Sequence, residues 1–267
     1  MAEPWKHEPA ESDSGNRAIF FAWAVLLPLG LLIAGAALAH FEVIAPFRGF
    51  LIFALGGLVS LVHTLILILV RAVTKRPPRI VVGLAALPML VAIGSAAPGA
   101  GAPRINDVST DVENPPQFVA VAELPDNAGR DMTFPVDFGP KIRDNYPNIT
   151  TFRVVDADPS TRKKVFDAAL EYANAQRDWA VIRSNADHGI IEGYAVTRLF
   201  RFRDDFVMRI IERDGQAMFD MRSKSRDGKG DLGANAKRIG AALEYMRATF
   251  GSASSVVKGV YVKTRPV

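Results

Sequence analysis

FVMRIIERDGQAMFDMRSKSRDGKGDLGANAKRI, residues 206–239, decides the fold of this chain. Two runs rich in Val, Ile, Phe and Met flank Arg213-Asp214-Gly215. Asp-Gly suits a two-residue hairpin loop, whose backbone needs the positive φ that Gly accepts readily. Such a loop pairs Arg213 with Gln216. Counting outward, it pairs Ile211 with Met218, Ile210 with Phe219, Arg209 with Asp220, Met208 with Met221 and Val207 with Arg222. Side chains alternate between the faces of a strand. One face therefore carries Phe206, Met208, Ile210, Phe219, Met221 and Ser223 and should meet the core. The other carries Val207, Arg209, Ile211, Met218, Asp220, Arg222 and Lys224. Arg209 opposite Asp220 makes a cross-strand ion pair. Two readings of this mixed face stay open: a solvated surface, or one covered by the polar segment that precedes the domain.

Beyond the hairpin the chain becomes a polar loop and then a helix from about Leu232 to Phe250, with Asp231 in the capping position. Around this loop cluster Arg222, Arg226 and Arg238 with Ser223, Ser225, Asp231 and Asn235. With Arg209 and Asp220 these are the candidate ligand-binding residues. Backbone N–H groups at a helix start, joined by arginines and serines, can hold a carboxylate or phosphate. The same residues also make a structural clasp, with Asp231 bonded to Arg226 or Arg238 and Asn235 tying the loop. Gly228, Gly230 and Gly233 have G-x-G-x-x-G spacing. The strand before them belongs to an antiparallel hairpin and no βαβ unit follows, which argues against a dinucleotide site.

Upstream, TFRVVD (151–156) reads as a strand. Asp158 and Pro159 open a helix that runs to about Arg177 and buries Val165, Phe166, Ala169, Leu170 and Tyr172 or Ala173. WAVIRS (179–184) and IIEGYAVT (190–197) are strands about a turn at Asp187-His188-Gly189, and VVKGVYVKT (256–264) is a weak final strand. The order β-α-β-β-β-β-α indicates an α+β domain, a mostly antiparallel sheet with helices on one face. Residues 104–150 hold Asp, Asn, Pro and Gly without a sustained period. Their interspersed apolar residues point to an extended arm pinned by Phe118, Phe134, Phe138, Tyr146 and Ile149.

The remaining N-terminal part is of another kind. Of 32 Lys and Arg and 28 Asp and Glu, residues 1–103 hold 7 and 5. Three apolar stretches, about 18–40, 50–73 and 80–97, are long enough to span a bilayer and form an N-terminal three-helix transmembrane region. Residues 1–17 make a tail, 98–150 a linker and arm, and 151–267 the α+β domain. Arg71, Lys75, Arg76 and Arg79 crowd the connection between the second and third spans, which places that loop and the N-terminus in the cytoplasm by the positive-inside bias. The C-terminal domain then faces the periplasm of a bacterial inner membrane. SAAPGAGAP (95–103) is similar to a signal-peptidase site, but two spans upstream favour a plain linker. Gly35/Ala39 and Gly56/Ser60 have the spacing that permits close helix contact. Ser60, His63 and Thr64 share one face of the second span, as a functional site or as helix-to-helix hydrogen bonding. His40 and His63 cannot share one haem iron, because His63 lies roughly 20 Å deeper at 1.5 Å per residue.

Composition narrows the chemistry. There is no cysteine, so disulfides, zinc-thiolate sites and a cysteine nucleophile are excluded. The soluble part, at a net +2, lacks the basic excess of a nucleic-acid binder. Its one histidine, His188, sits in a turn, no G-x-S-x-G elbow is present, and no metal-ligand spacing occurs. Asp204 and Asp205 are neighbours on a strand and point to opposite faces. No cofactor is indicated.

INDVSTDVENPPQF, YPNI, FRFRDDFVMRI and the block RSxSRxGxxDxGxNxxRI together resemble the bacterial family termed domain of unknown function 1499, over about residues 104–250. Some members carry membrane spans ahead of this domain, and the resemblance implies no particular activity. The expected function is a membrane-anchored, non-catalytic binding or interaction module of the cell envelope. Beyond the lipid bilayer, its partner would be an envelope protein or an anionic small molecule or lipid. The alternative is an envelope hydrolase or transferase that holds an anionic substrate with Arg222 and Arg226.

Overall fold

The computed structural model describes residues 12–155, 158 and 160–251. It divides into two units, one with the N-terminal helices and Leu199–Arg201, the other with the sheet. The N-terminal unit holds α1 (Ser12–His40), α2 (Pro46–Thr74) and α3 (Arg79–Ala96). All three are long and apolar enough to cross a membrane. α1 begins at Ser12, ahead of the apolar run, so the polar residues before Ala18 continue the helix. α2 begins at Pro46 because Pro fits the first turn, where its missing N–H is not needed.

Close contact between α1 and α2 follows from their small residues. A Cβ added at Gly35 would lie 2.6 Å from the Gly49 carbonyl oxygen, and one at Gly56 would lie 2.8 Å from that of Pro28. Pro28 and Pro88 interrupt the ladders of α1 and α3, and one face of α2 repairs both. Pro28 has no N–H, which leaves the carbonyl of Ala24 without its usual donor. His63 Nδ1 lies 3.3 Å from that oxygen. At the Pro88 break, Ser60 Oγ donates to the Ala85 carbonyl (2.5 Å) and accepts from the Met89 N–H (3.0 Å). In a medium without water, such side chains supply what the backbone has lost.

The second unit contains β1 (Asp107–Ser109), α4 (Phe138–Asn145), β2 (Phe152–Val155), α5 (Thr161–Ala175), β3 (Trp179–Asn185), β4 (Ile190–Val196), β5 (Arg203–Arg213), β6 (Gln216–Ser225) and α6 (Ala234–Phe250). It is an α+β domain whose antiparallel sheet runs β1-β6-β5-β4-β3, with β2 also paired to β6. The hairpin register is the one its turn dictates, from Arg213 opposite Gln216 to Val207 opposite Arg222. Two short strands share the outer edge of β6. β2 pairs Phe152 with Phe219, and β1 pairs Asp107 with Lys224 and Ser109 with Arg222.

Two elements, β1 and α4, fall in the segment expected to be an irregular arm, which also has a 3-10 turn at Pro125–Asn127. Three residues are too few to show a period, and α4 carries a Pro in its first turn, where a helix tolerates it. α5 starts at Thr161 rather than at residue 159. Asp158 still serves its opening turn, its carboxylate accepting from the Ser160 N–H and from Lys164 Nζ. Pro159 and the expected strand over 256–264 lie outside the described residues.

The core lies where the hairpin alternation places it. Phe206, Met208, Ile210, Phe219 and Met221 are buried with Val165, Phe166 and Ala169 of α5 and Ile239, Leu243 and Met246 of α6. The arm joins this core through Ile105, Val108, Phe134, Ile142 and Ile149. Gly189 turns β3 into β4 at φ +65°, and a side chain there would collide with the Ile210 carbonyl. Phe219 has no solvent exposure and sits where β2, β6 and the helices meet. Phe219→Ala should therefore cost about 3–5 kcal/mol, read from the urea midpoint of the full chain in detergent, without altering the N-terminal helices.

Candidate functional site

The second face of the hairpin is covered, and the arm covers it. Val207 packs against Phe118 and Val121 in a separate apolar cluster, and Asp220 and Arg222 are fully buried. The reading of this face as a solvated surface is thereby excluded. The arm crosses it because β1 docks on the edge of β6 and starts the chain over the sheet.

Arg222, the largest fully buried side chain, is held from all sides. Nε and Nη2 donate to the two carboxylate oxygens of Asp107 at 3.0 and 2.8 Å. Nη2 also donates to the Met132 carbonyl at 2.8 Å, and Nη1 to that of Pro116 at 3.2 Å. The guanidinium lies 4.5 Å from the Phe118 ring centroid and 5.4 Å from that of Phe134. Every one of these partners belongs to β1 or to the arm. Lys224 Nζ adds a third contact to Asp107, at 3.1 Å.

The other arginines follow the same plan. Arg209 Nη2 bonds Asp220 at 2.7 Å and Asp111 of the arm at 3.1 Å. The second oxygen of Asp220 accepts from the hydroxyls of Thr110 and Thr151 at 2.9 and 2.6 Å. This pair therefore lies inside the domain. Arg226 clamps Asp205 through Nε and Nη2, reaches Asp126 at 3.0 Å and stacks 5.1 Å from the Tyr194 ring. Arg238 of α6 donates to Asp204 at 2.7 Å and to Ser223 and Asn235. Asp204 and Asp205 thus face opposite ways, one toward α6 and the other toward the arm.

Asn235 ties the loop. Its Nδ2 donates to the Asn106 carbonyl and to Ser225 Oγ, and its Oδ1 accepts from Ser223 and Arg238. Asp231 departs from the expected clasp. It pairs with neither Arg226 nor Arg238 and instead accepts the N–H groups of Gly233 (2.9 Å) and Asn235 (2.8 Å) at the start of α6. The arginines turn to Asp205 and Asp204 because these carboxylates lie across the sheet on β5, nearer in space than in sequence. Since a carboxylate of the chain already occupies the α6 N-terminus, the G-x-G-x-x-G spacing is left as loop geometry, with Gly228 and Gly233 at positive φ.

Sequence reasoning missed Asp107 and a second buried acid on the same face of the sheet. Glu192 of β4 is fully buried. One of its oxygens accepts from the N–H groups of Val119 and Val121 at 2.8 and 3.2 Å, so it too anchors the arm. Its other oxygen has no partner among the described residues. Asn127 donates to Asp205 and to the Val121 carbonyl. No signal in the sequence marked Glu192, an isolated acid in an apolar strand. His188 is exposed on its turn, where its backbone N–H donates to Asn185.

Burial pushes the Asp231 carboxyl above the usual carboxylate range, against the pull of the Asn235 and Gly233 N–H groups. Burial likewise raises Asp205, opposed by the hydrogen bonds and charge of Arg226 and the hydrogen bond from Asn127. The phenol of Tyr146 is raised by burial and by the charge of Asp231.

Taking two charges out of water costs several kcal/mol each, and removing one partner of a buried pair leaves the other uncompensated. Arg222→Ala should destabilise the domain by about 3–5 kcal/mol and release β1, read as faster amide exchange along β6. Replacing both partners, Arg222→Met with Asp107→Leu, should recover part of that loss. Asp231 gives a pH signature. Its folded value is raised, so the folded state holds the proton more tightly than the unfolded chain. The stability it adds is complete below the unfolded value near 4 and is lost as pH rises through the folded value. The Tm advantage of the parent chain over Asp231→Asn should therefore shrink as pH rises from about 4. A difference that grows over that range would contradict the assignment.

No curated protein and no solved structure matches this chain. A family model described as a protein of unknown function, DUF1499, matches residues 107–246. The match begins at Asp107, the partner of the buried Arg222, and ends at Met246 in the core of α6. The chain belongs to the DUF1499 family.

Proposed function

We propose that this protein is a membrane-anchored module of the bacterial cell envelope, without catalytic activity, whose α+β domain faces the periplasm and binds an envelope protein or an anionic small molecule or lipid. In this reading the N-terminus is cytoplasmic and the three helices fix the domain to the inner membrane. Support for the orientation comes from Arg71, Lys75, Arg76 and Arg79 between α2 and α3, the bias that marks cytoplasmic loops.

One observation carries the non-catalytic part. Arg222 and Arg226, the groups that would hold an anionic substrate, are buried and matched to Asp107 and Asp205. An enzyme would need those cations to turn outward toward substrate, and here they turn inward to hold the arm. The charge block is then a clasp, and a hydrolase or transferase built on Arg222 and Arg226 loses its anion site.

Fusions after Gly251 test the orientation. An alkaline phosphatase fused there should be active and a green fluorescent protein dark, since the first needs the periplasm to form its disulfides. Fluorescence without phosphatase activity would place the domain in the cytoplasm and overturn the proposal.

A further inference from the structure

After the clasp has matched Arg209, Arg222, Arg226 and Arg238 with carboxylates, two cations of the same region are left over. Arg104 and Lys229 line one open cavity of about 300 Å³ together with Asn106, Phe138 and Gly228. Both are exposed, and neither has a hydrogen-bond or ion-pair partner among the described residues. The walls that carry them are tied together. Asn106 Nδ2 donates to the Gly228 carbonyl at 2.9 Å, the Asp231 N–H to the Ile105 carbonyl at 3.1 Å, and the Ser225 N–H to the Asn106 carbonyl at 2.8 Å. The cavity is thus framed by the clasp, while its two charges are not spent on it. Gly230 faces Arg104 at van der Waals distance, a Cβ there lying 3.5 Å from Arg104 Cα. Phe138 of α4 supplies an apolar wall.

We propose that this cavity is a binding site for a phosphate group, with Arg104 and Lys229 as its cationic partners. The proposal rests on the binding-module reading and names its ligand class. Arg104 follows the last residue of α3, Ala96, by eight positions. At 3.3–3.6 Å per extended residue the cavity lies within about 30 Å along the chain of the end of a membrane-crossing helix. A phospholipid headgroup at the bilayer surface and a free phosphate compound are both within reach, and both present anionic phosphate oxygens, those of a singly charged diester or of a phosphate with up to two charges, to a guanidinium and an ammonium.

The test uses the full chain in a neutral detergent, with the retention of added phosphatidylglycerol and phosphatidylcholine measured by native mass spectrometry. The parent chain is compared with Arg104→Gln/Lys229→Gln. Both substitutions are exposed, and the basic loop between α2 and α3 is unchanged in each protein, so the difference isolates the cavity. At about 1 kcal/mol per basic residue near an anionic surface, the double variant should lose roughly thirtyfold in phosphatidylglycerol retention relative to phosphatidylcholine. Glycerol 1-phosphate and inorganic phosphate are then added as competitors. Loss of the retained lipid to either assigns the site to the phosphate group itself. Persistence of the lipid against both, with the variant still weaker by the same factor, assigns it to the headgroup at the membrane. Should the double variant fail to fold, Lys229→Gln alone, in the loop, should show a roughly fivefold loss. Equal retention by parent and folded variants overturns the proposal. That outcome is separate from the fusion test, because a cytoplasmic reporter result would reverse the orientation and leave the binding comparison standing.

Discussion

The architecture of the α+β domain depends on one buried contact, the two-pronged bond from Arg222 to Asp107. An arginine with no exposure can persist only where its charge is matched and its nitrogens find acceptors. Asp107, the carbonyls of Pro116 and Met132 and the rings of Phe118 and Phe134 meet that demand. Satisfying it requires residues 107–134 to wrap the sheet in one way. The cation acts as a template for the arm. Glu192 extends the template along the same cross-strand row, opposite Val207, which in turn lies opposite Arg222, and receives the N–H groups of Val119 and Val121. A face of apolar residues would bury comparable area but accept the arm in many registers, whereas directional bonds to a fixed guanidinium accept one.

The three apolar helices follow a similar economy with different means. Pro28 and Pro88 break backbone ladders in two helices, and the neighbouring side chains Ser60 and His63, three residues apart on α2, serve the exposed groups. In both units a polar side chain is placed where an obligatory hydrogen-bonding group would otherwise be stranded. This accounts for Ser60 and His63 through packing, as the helix-to-helix reading of that face anticipates. It also explains why they sit on the face of α2 that meets both neighbours.

Much of this was legible in the sequence because its determinants are local. Asp214-Gly215 sets a turn, the turn sets the register, and the register assigns Phe219 to the core and Asp220 and Arg222 to the opposite face. The three apolar helices are equally local, since length and hydropathy suffice. What was not legible depends on partners distant in the chain. Arg222 meets Asp107 across 115 positions, and nothing near either residue announces the other. Asp231 was assigned to arginines close to it in sequence, whereas strand pairing brings Asp204 and Asp205 nearer to them. β1 and α4 escaped for another reason: three strand residues carry no period, and α4 is a short helix that owes its place to Ile142 and Phe138 in the core.

The shared edge of β6 has a consequence for the order of assembly. The β5–β6 hairpin closes over a two-residue loop, whereas β1 must return across more than a hundred residues, at a larger entropic cost. The hairpin can therefore form while Arg222 is still hydrated and the upper half of the β6 edge is still bare. Docking of the arm then removes water from the guanidinium and covers that edge in the same step. Before this step, the nascent sheet presents an unpaired strand edge guarded by Arg222 and Lys224, charges of the kind that discourage strand-to-strand association. The residue that fixes the finished structure thus also protects the unfinished one, repelling other chains until its own arrives.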